Sequence, residues 1–226
     1  RLKDLSALQS CTALEWLNIQ GCEHIESFEP LSTLIKLEYL NAYQLPLIED
    51  LSPLSSLPSL RELYFSRCRT LTNLQPLSSI SSLEVLCLAM CEEISDLDPL
   101  SFLPSLKNLD LDGCLKVSNI APLAHTLKLE QLNLSRCPSL SDVSPLQHLK
   151  HLKELILMSC DGVTNLKPVG GISSLNRLDL SGDRNSGSTR THLNGLEGSS
   201  IQKLKLTRCA DLTDLSALSK TSQLER

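Results

Sequence analysis

The residues of this chain that could carry nucleophilic, redox or metal chemistry are nine cysteines and five histidines. Thiolates and imidazoles bind zinc from closely spaced pairs, and a nucleophilic Cys or Ser needs a base within reach. The sequence has no Cys-x-x-Cys pair, and none of the histidines falls in register with the cysteines. It also has no phosphate-binding loop, glycine-rich fingerprint or zinc motif. We therefore predict no catalytic residues, no metal and no cofactor, and we expect that the chain is not an enzyme.

The cysteines follow a period instead of a motif. Seven of them take the ninth place of a recurring frame, Leu-x-x-Leu-x-Leu-x-x-Cys; these are Cys22, Cys68, Cys91, Cys114, Cys137, Cys160 and Cys209. The ninth residue should point inward with the leucines, so we predict a ladder of buried, free thiols. Such a ladder favours a reducing, intracellular compartment, and the segment shows no signal peptide; a surface or secreted location stays open.

The frame recurs every 23 residues and predicts the fold. It starts at residues 14, 37, 60, 83, 106, 129, 152 and 175, then at 201 after a spacing of 26, and again at 224. Its alternating apolar positions predict one short parallel β-strand per repeat. An Asp or Asn at the fourteenth position, with Pro three residues later, predicts a capped 3₁₀ or very short helix on the opposite side.

Composition and length set further limits. The sequence contains no run of about 18 apolar residues, which is the length that a membrane-spanning helix needs. The formal net charge of −5 argues against nucleic acid, whose binding proteins are usually basic. We expect a single domain over residues 1–226 with partial repeats at both ends. Flanking repeats, another domain or another chain would cover those ends.

With these residues, the whole chain resembles the leucine-rich repeat family. The strand half with Cys at its end is similar to the cysteine-containing class, and the Asp-Leu-Ser-Pro-Leu half at residues 50–54 is similar to the internalin class. Mixed arrays of this kind also resemble leucine-rich repeat proteins of kinetoplastids. The resemblance implies an α/β solenoid: a horseshoe with a concave parallel β-sheet of about nine strands and short 3₁₀ or turn elements on the convex side.

The resemblance also implies a non-catalytic protein-binding module. Three alternatives remain: the substrate-recognition domain of a ubiquitin ligase, a surface or secreted adhesin, and the regulatory domain of a larger enzyme. Fold alone does not choose between them.

The outward strand positions, which should line the concave face, form the candidate partner-binding site. The only Trp and all three Tyr fall there within three consecutive repeats, and Trp, Tyr and Arg dominate binding hot spots. Acidic and then basic positions follow, a gradient that would suit an elongated protein partner. The predicted contact residues are Trp16, Tyr39, Tyr43, Arg61, Tyr64, Arg67, Val85, Met90, Asp110, Asp112, Ile156, Met158, Arg177, Asp179, Lys203 and Lys205.

The eighth repeat, which starts at residue 175, departs from the frame. Its ninth residue is Asp183, it is three residues longer than the others, and it lacks the Pro. Residues 183–192 are polar and contain no turn motif, so they predict an irregular, mobile loop. This loop would be either a partner contact or a tolerated insertion.

Overall fold

In the computed structural model, residues 2–184 and 187–225 are described. Nine three-residue strands in this part of the chain form one parallel sheet in chain order. They are β1 (Trp16–Asn18), β2 (Tyr39–Asn41), β3 (Glu62–Tyr64), β4 (Val85–Cys87), β5 (Asn108–Asp110), β6 (Gln131–Asn133), β7 (Glu154–Ile156), β8 (Arg177–Asp179) and β9 (Lys203–Lys205). Each strand covers the third to fifth residues of the frame. The predicted α/β solenoid is confirmed.

The period of the sequence sets the register of the sheet. Trp16 pairs with Tyr39, and Tyr39 pairs with Glu62, so each strand residue lies beside its equivalent in the next repeat. The register survives the longer eighth repeat, where Arg177 pairs with Lys203. Because equivalent residues stack, the residue type at one frame position becomes a ladder along the whole sheet.

Short helices form the opposite side of the repeats. The 3₁₀ helices are Ser6–Leu8, Glu29–Leu31, Ser52–Ser56, Gln75–Ser79, Asp98–Phe102, Ala121–His125, Ser144–His148 and Ser216–Lys220, and Lys167–Gly170 is a single α-turn. The Asp or Asn that was predicted as the helix cap instead forms a turn, and it lies one residue before the N-cap residue. Asp50 Oδ1 accepts the N–H of Ser52 at 2.8 Å, while Leu51 is the N-cap residue. The fourteenth residue therefore starts the helix from just outside it, as an Asx turn in most repeats and through the Ser27 hydroxyl in the first.

The cysteine ladder lies in the aliphatic core between sheet and helices. Its five central members are buried, whereas Cys22 and Cys209 are half-buried. Each buried thiol donates to the sixth residue of the preceding repeat, as Cys114 Sγ does to the Leu88 carbonyl at 3.3 Å. Burial raises the pKa of Cys114 to about 12, so the thiol keeps the proton that it donates. All nine cysteines are free thiols.

In every repeat except the eighth, the eighth residue of the frame has a left-handed backbone, which the residue types there do not indicate. Besides two glycines, φ lies between 53° and 61° at six ordinary residues: Gln44, Arg67, Met90, Arg136, Ser159 and Arg208. The reversal points the N–H back into the ladder, so that Arg67 N donates to Ala89 O at 2.8 Å. This bond extends the parallel pairing beyond the strand and helps to offset the cost of the left-handed conformation.

The eighth repeat fills its core with a cation. Leu196 N donates to Leu193 O at 3.2 Å, as Leu54 N donates to Leu51 O in a regular repeat. Counting back three residues from Leu193 places Arg190 where regular repeats have an aliphatic residue. Arg190 is only 7% exposed, and its Nη1 donates to Val163 O at 2.8 Å.

The loop around Arg190 is held by one carboxylate of the preceding repeat. Asp161 Oδ1 accepts the Ser188 hydroxyl at 2.6 Å, and its Oδ2 accepts the Thr189 N–H at 3.2 Å. Asp161 also raises the pKa of the Arg190 guanidinium, which burial lowers more strongly. Residues 185 and 186 of the predicted loop lie outside the described residues. The described remainder is thus anchored at several points, which the polar composition of 183–192 did not indicate.

Candidate functional site on the concave face

The third, fifth and seventh residues of each frame form the concave face, and its N-terminal third is a ladder of rings. Trp16 stacks on Tyr39 with ring centroids 5.1 Å apart and an interplanar angle of 11°. Tyr39 contacts Tyr64 at 5.4 Å with a tilt of 41°. The register of β1, β2 and β3 positions all three rings, and Trp16 remains 57% exposed.

A second contact widens this aromatic surface. The guanidinium carbon of Arg67 lies 5.8 Å from the centroid of the Tyr43 ring, a distance at which cation–π attraction operates. The Tyr64 hydroxyl donates to Glu62 Oε2 at 3.0 Å. Burial and this carboxylate raise the pKa of Tyr64 to about 12, so the hydroxyl keeps the proton that it donates to Glu62.

Next to the rings is a trough that crosses β3 to β7. Its volume is about 260 Å³, and Tyr64, Val85 and Ile156 supply apolar surface to its walls. Three strand leucines and several polar residues complete the lining, and Asp110 is among the polar ones. Four residues predicted separately for partner contact are therefore brought together in one cavity.

Two carboxylates of the concave face, those of Asp112 and Asp110, have different hydrogen-bond partners. Asp112 accepts from Arg136, whose Nε lies 2.9 Å from Oδ1. Burial raises the pKa of Asp112, and Arg136 opposes that shift. Asp110 instead accepts the N–H of Asp112 at 2.9 Å and lies 3.5 Å from Cys87 Sγ.

Most other charges on or beside this face form cross-strand ion pairs. They are Arg61–Glu84 at 2.8 Å, Lys107–Glu84 and Lys153–Glu130 at 2.5 Å, Arg177–Glu154 at 3.2 Å, Lys205–Asp179 at 3.6 Å and Lys203–Glu225 at 3.8 Å. The predicted gradient from acidic to basic is thus largely neutralised within the chain. Exposed pairs of this kind contribute only about 0–1 kcal/mol each.

The remaining predicted contact residues are scattered along the array. Met90 has a left-handed backbone, and its Sδ would lie 2.6 Å from a Cβ added to Gly113. Met158 lines a separate depression with Arg136 and Arg208. Lys203 and Lys205 lie on β9, six strands from Tyr64 on β3. The face therefore consists of several local surfaces, and the aromatic ladder with the adjoining trough brings together six of the predicted contact residues.

Sequence reasoning missed Arg136 as a part of this face. Arg136 is the eighth residue of its frame, just beyond the positions that form the concave face. Only the stacking of repeats in register shows that it reaches Asp112. In the described ranges, no three His, Cys, Asp or Glu side chains form a cluster that could hold a metal ion. None of the helices formed by the described residues has the length and apolar character of a membrane span.

Comparison with known proteins identifies what this geometry resembles. The model for "Leucine Rich repeats (2 copies)" matches residues 81–125. The solved structure of an internalin, InlF, from Listeria monocytogenes is 27% identical with a TM-score of 0.72, and the match covers 96% of this chain and 61% of that one. The chain thus spans 61% of the length of that internalin.

Two further solved structures support the fold alone. Internalin C2 from the same organism is 22% identical with a TM-score of 0.67, over 96% of this chain and 81% of that one. A chain of the yeast Rad7–Elc1 complex is 18% identical with a TM-score of 0.56, over 77% and 52%. A search of curated proteins finds no match.

The repeats, the nine-stranded parallel sheet and these neighbours define a solenoid of the α/β type. The leucine-rich repeat model matches residues 81–125, and in fold the chain resembles leucine-rich repeat proteins, internalins among them. The resemblance to kinetoplastid proteins stays a prediction.

Proposed function

We propose that this chain is a protein-binding module that contacts its partner through the concave face, with the ladder of Trp16, Tyr39 and Tyr64 at the centre of the contact. The observation that carries the proposal is a ladder of contacting rings on three adjacent strands, in which Trp16 is exposed and Tyr39 and Tyr64 are half-buried. Exposure of apolar ring surface to water is unfavourable, and exposed apolar patches usually mark a binding site. Stacked repeats also present the extended inner surfaces that solenoid proteins use for recognition.

The rings suit this role because they are held in place before binding. Each belongs to a strand that is bonded on both sides or, for β1, on one side. A preorganised ring loses little side-chain freedom on association, so more of its burial contributes to affinity. Arg67 against Tyr43 extends the same surface with a group that stacks and donates hydrogen bonds.

The class of protein agrees with this role. Leucine-rich repeat folds typically serve as interaction modules without catalytic residues, and one neighbour was solved as part of a two-protein complex. The ubiquitin-ligase, adhesin and enzyme-regulatory alternatives all use a binding surface of this kind, and they stay predictions.

The test is to remove two rings and compare binding partners. The Tyr39→Ala/Tyr64→Ala double variant should lose the proteins that the wild-type chain captures from a lysate, as quantified by mass spectrometry. We expect its melting temperature to change little, since both rings are on the solvent side of the sheet. The matched control is Phe102→Ala, which removes a ring that is 62% exposed on the helical side. A double variant that captures the same proteins as the wild-type chain would contradict the proposal.

A further inference from the structure

The trough beside the aromatic ladder contains a carboxylate without a counter-ion. Arg136 neutralises Asp112, and Lys205 neutralises Asp179 at the equivalent strand position three repeats further on. In the described part of the chain, no Lys, Arg or His lies within ion-pair distance of Asp110. Its hydrogen bonds go to a backbone N–H and to the thiol of Cys87.

The surroundings of Asp110 suit the parts of a long basic side chain. Val85 and Ile156 are half-buried apolar groups in the same trough, and such surfaces pack against the methylene stem of Lys or Arg. Tyr64 lines the trough as well, and a tyrosine ring attracts a cation. An acidic or phosphorylated group would instead meet two carboxylates, because Glu154 also lines the trough.

We propose that this trough receives one lysine or arginine side chain from an extended segment of the partner protein, with Asp110 as its counter-ion. This inference rests on the proposed function, because it assumes that the partner lies along the concave face. It adds the chemistry of recognition: apolar contacts to the rings of β1 to β3, followed by one cation about two strands further along. Most other charged side chains that the partner would meet on this face are already paired within this chain.

The chain itself supplies the substitution that tests Asp110. Asn41 and Asn133 have the same frame position, and their Oδ1 atoms accept Tyr43 N at 3.1 Å and Ser135 N at 3.0 Å. An Asn at position 110 can therefore accept the N–H of Asp112 and form the same turn as Asp110. Asp110→Asn should leave the fold and the melting temperature unchanged and remove only the charge.

A matched control exists on the helical side. Asp142 Oδ1 accepts Ser144 N at 2.8 Å, and other repeats have Asn at this position, as at Asn119. Asp142→Asn removes one negative charge from the chain with equal structural tolerance. It therefore separates the effect of net charge from that of the trough.

The experiment is selection from a display library of random linear 12-residue peptides on the wild-type chain, Asp110→Asn, Asp142→Asn and the Tyr39→Ala/Tyr64→Ala variant. We expect wild type and Asp142→Asn to enrich peptides that share one Lys or Arg, and Asp110→Asn to lose that preference. A synthetic peptide from the selection should bind about tenfold more weakly when its basic residue is replaced by norleucine or when Asp110 is Asn. The two changes together should cost no more than either alone.

The outcomes separate this inference from the proposed function. Peptides that require Tyr39 and Tyr64 but show no basic residue would leave the proposed function intact and overturn the role of Asp110. Retention of the basic preference by Asp110→Asn would overturn that role as well. Failure of the wild-type chain to enrich any peptide that depends on the two tyrosines would count against both.

Discussion

The regular repeats and the eighth repeat solve the same packing problem with different chemistry. In the third repeat, Cys68 occupies the ninth position and Leu71 the twelfth, and both are fully buried. In the eighth repeat the ninth residue is Asp183, which is half-buried, and Arg190 takes the twelfth place. A core position that the first seven repeats fill with an aliphatic residue is here filled by a guanidinium.

The difference shows which parts of the repeat the sheet requires. β8 and β9 pair in register although 26 residues separate their equivalents, so the strand tolerates changes elsewhere in the unit. The helical side does not: His192 stands where most other repeats have Asp or Asn, and no helix forms in described residues 187–202. The strand depends on its own register, whereas the short helix follows its turn residue. Pro is not required, because the helices Ser6–Leu8 and Ser216–Lys220 form with Ala in its place.

The largest effect on the stability of the eighth repeat is expected from removal of the buried cation. Arg190→Ala should lower the free energy of unfolding by about 3 kcal/mol, because Val163 O loses its donor and a cavity opens. Arg190→Met should cost much less, since an apolar side chain restores the rule of the regular repeats. Urea denaturation followed by far-ultraviolet circular dichroism measures both.

Trp16 provides an internal control for that experiment. It lies on β1 at the opposite end of the sheet, so its fluorescence reports the first repeats, which Arg190→Ala should affect less than the last ones. Equal stability of Arg190→Ala and the wild-type chain would show that the guanidinium contributes nothing to the core.

A smaller effect is expected from the thiol ladder of the regular repeats. The Leu88 carbonyl accepts both Cys91 N at 3.1 Å and Cys114 Sγ at 3.3 Å. Cys114→Ala removes the second donor and leaves a small void, which should lower the free energy of unfolding by about 1–2 kcal/mol. Cys11→Ala, at an exposed thiol outside the ladder, should change it by less than about 0.5 kcal/mol. Equal losses for the two variants, measured by urea denaturation, would contradict a structural role of the ladder.

Sequence predicts the repeating parts of this molecule well because the period carries their geometry. The 23-residue spacing predicts the strands, the buried ninth position and the turn before each Pro, all of which depend on neighbours at fixed offsets. Arg190 escaped prediction since its burial depends on the path of an insertion, although the pair Leu193 and Leu196, spaced as Leu51 and Leu54 are, indicates where the frame resumes. On the concave face, the stacking of Tyr39 followed from register, but the pairing of Asp112 with Arg136 depends on a left-handed residue whose type does not indicate that conformation.

The smallest predicted effect concerns the turns that the eighth repeat lacks. Hydrogen bonds from the N–H and hydroxyl of Ser144 hold the pKa of Asp142 below its usual range. A carboxyl whose pKa is lower when folded stabilises the fold fully above its unfolded value, about 3.9, and loses that contribution as the pH falls through the folded pKa. Asp142→Asn should therefore lose less stability than the wild-type chain between pH 5 and pH 3. Because this carboxyl is exposed, we expect a difference below about 0.5 kcal/mol. Urea titrations at the two pH values measure it, and Asp50 and Asp214, whose pKa values serine hydrogen bonds also lower, should keep most of the acid sensitivity in the variant. If Asp142→Asn were the more acid-sensitive chain, the Asx turn would not be the source of the shift.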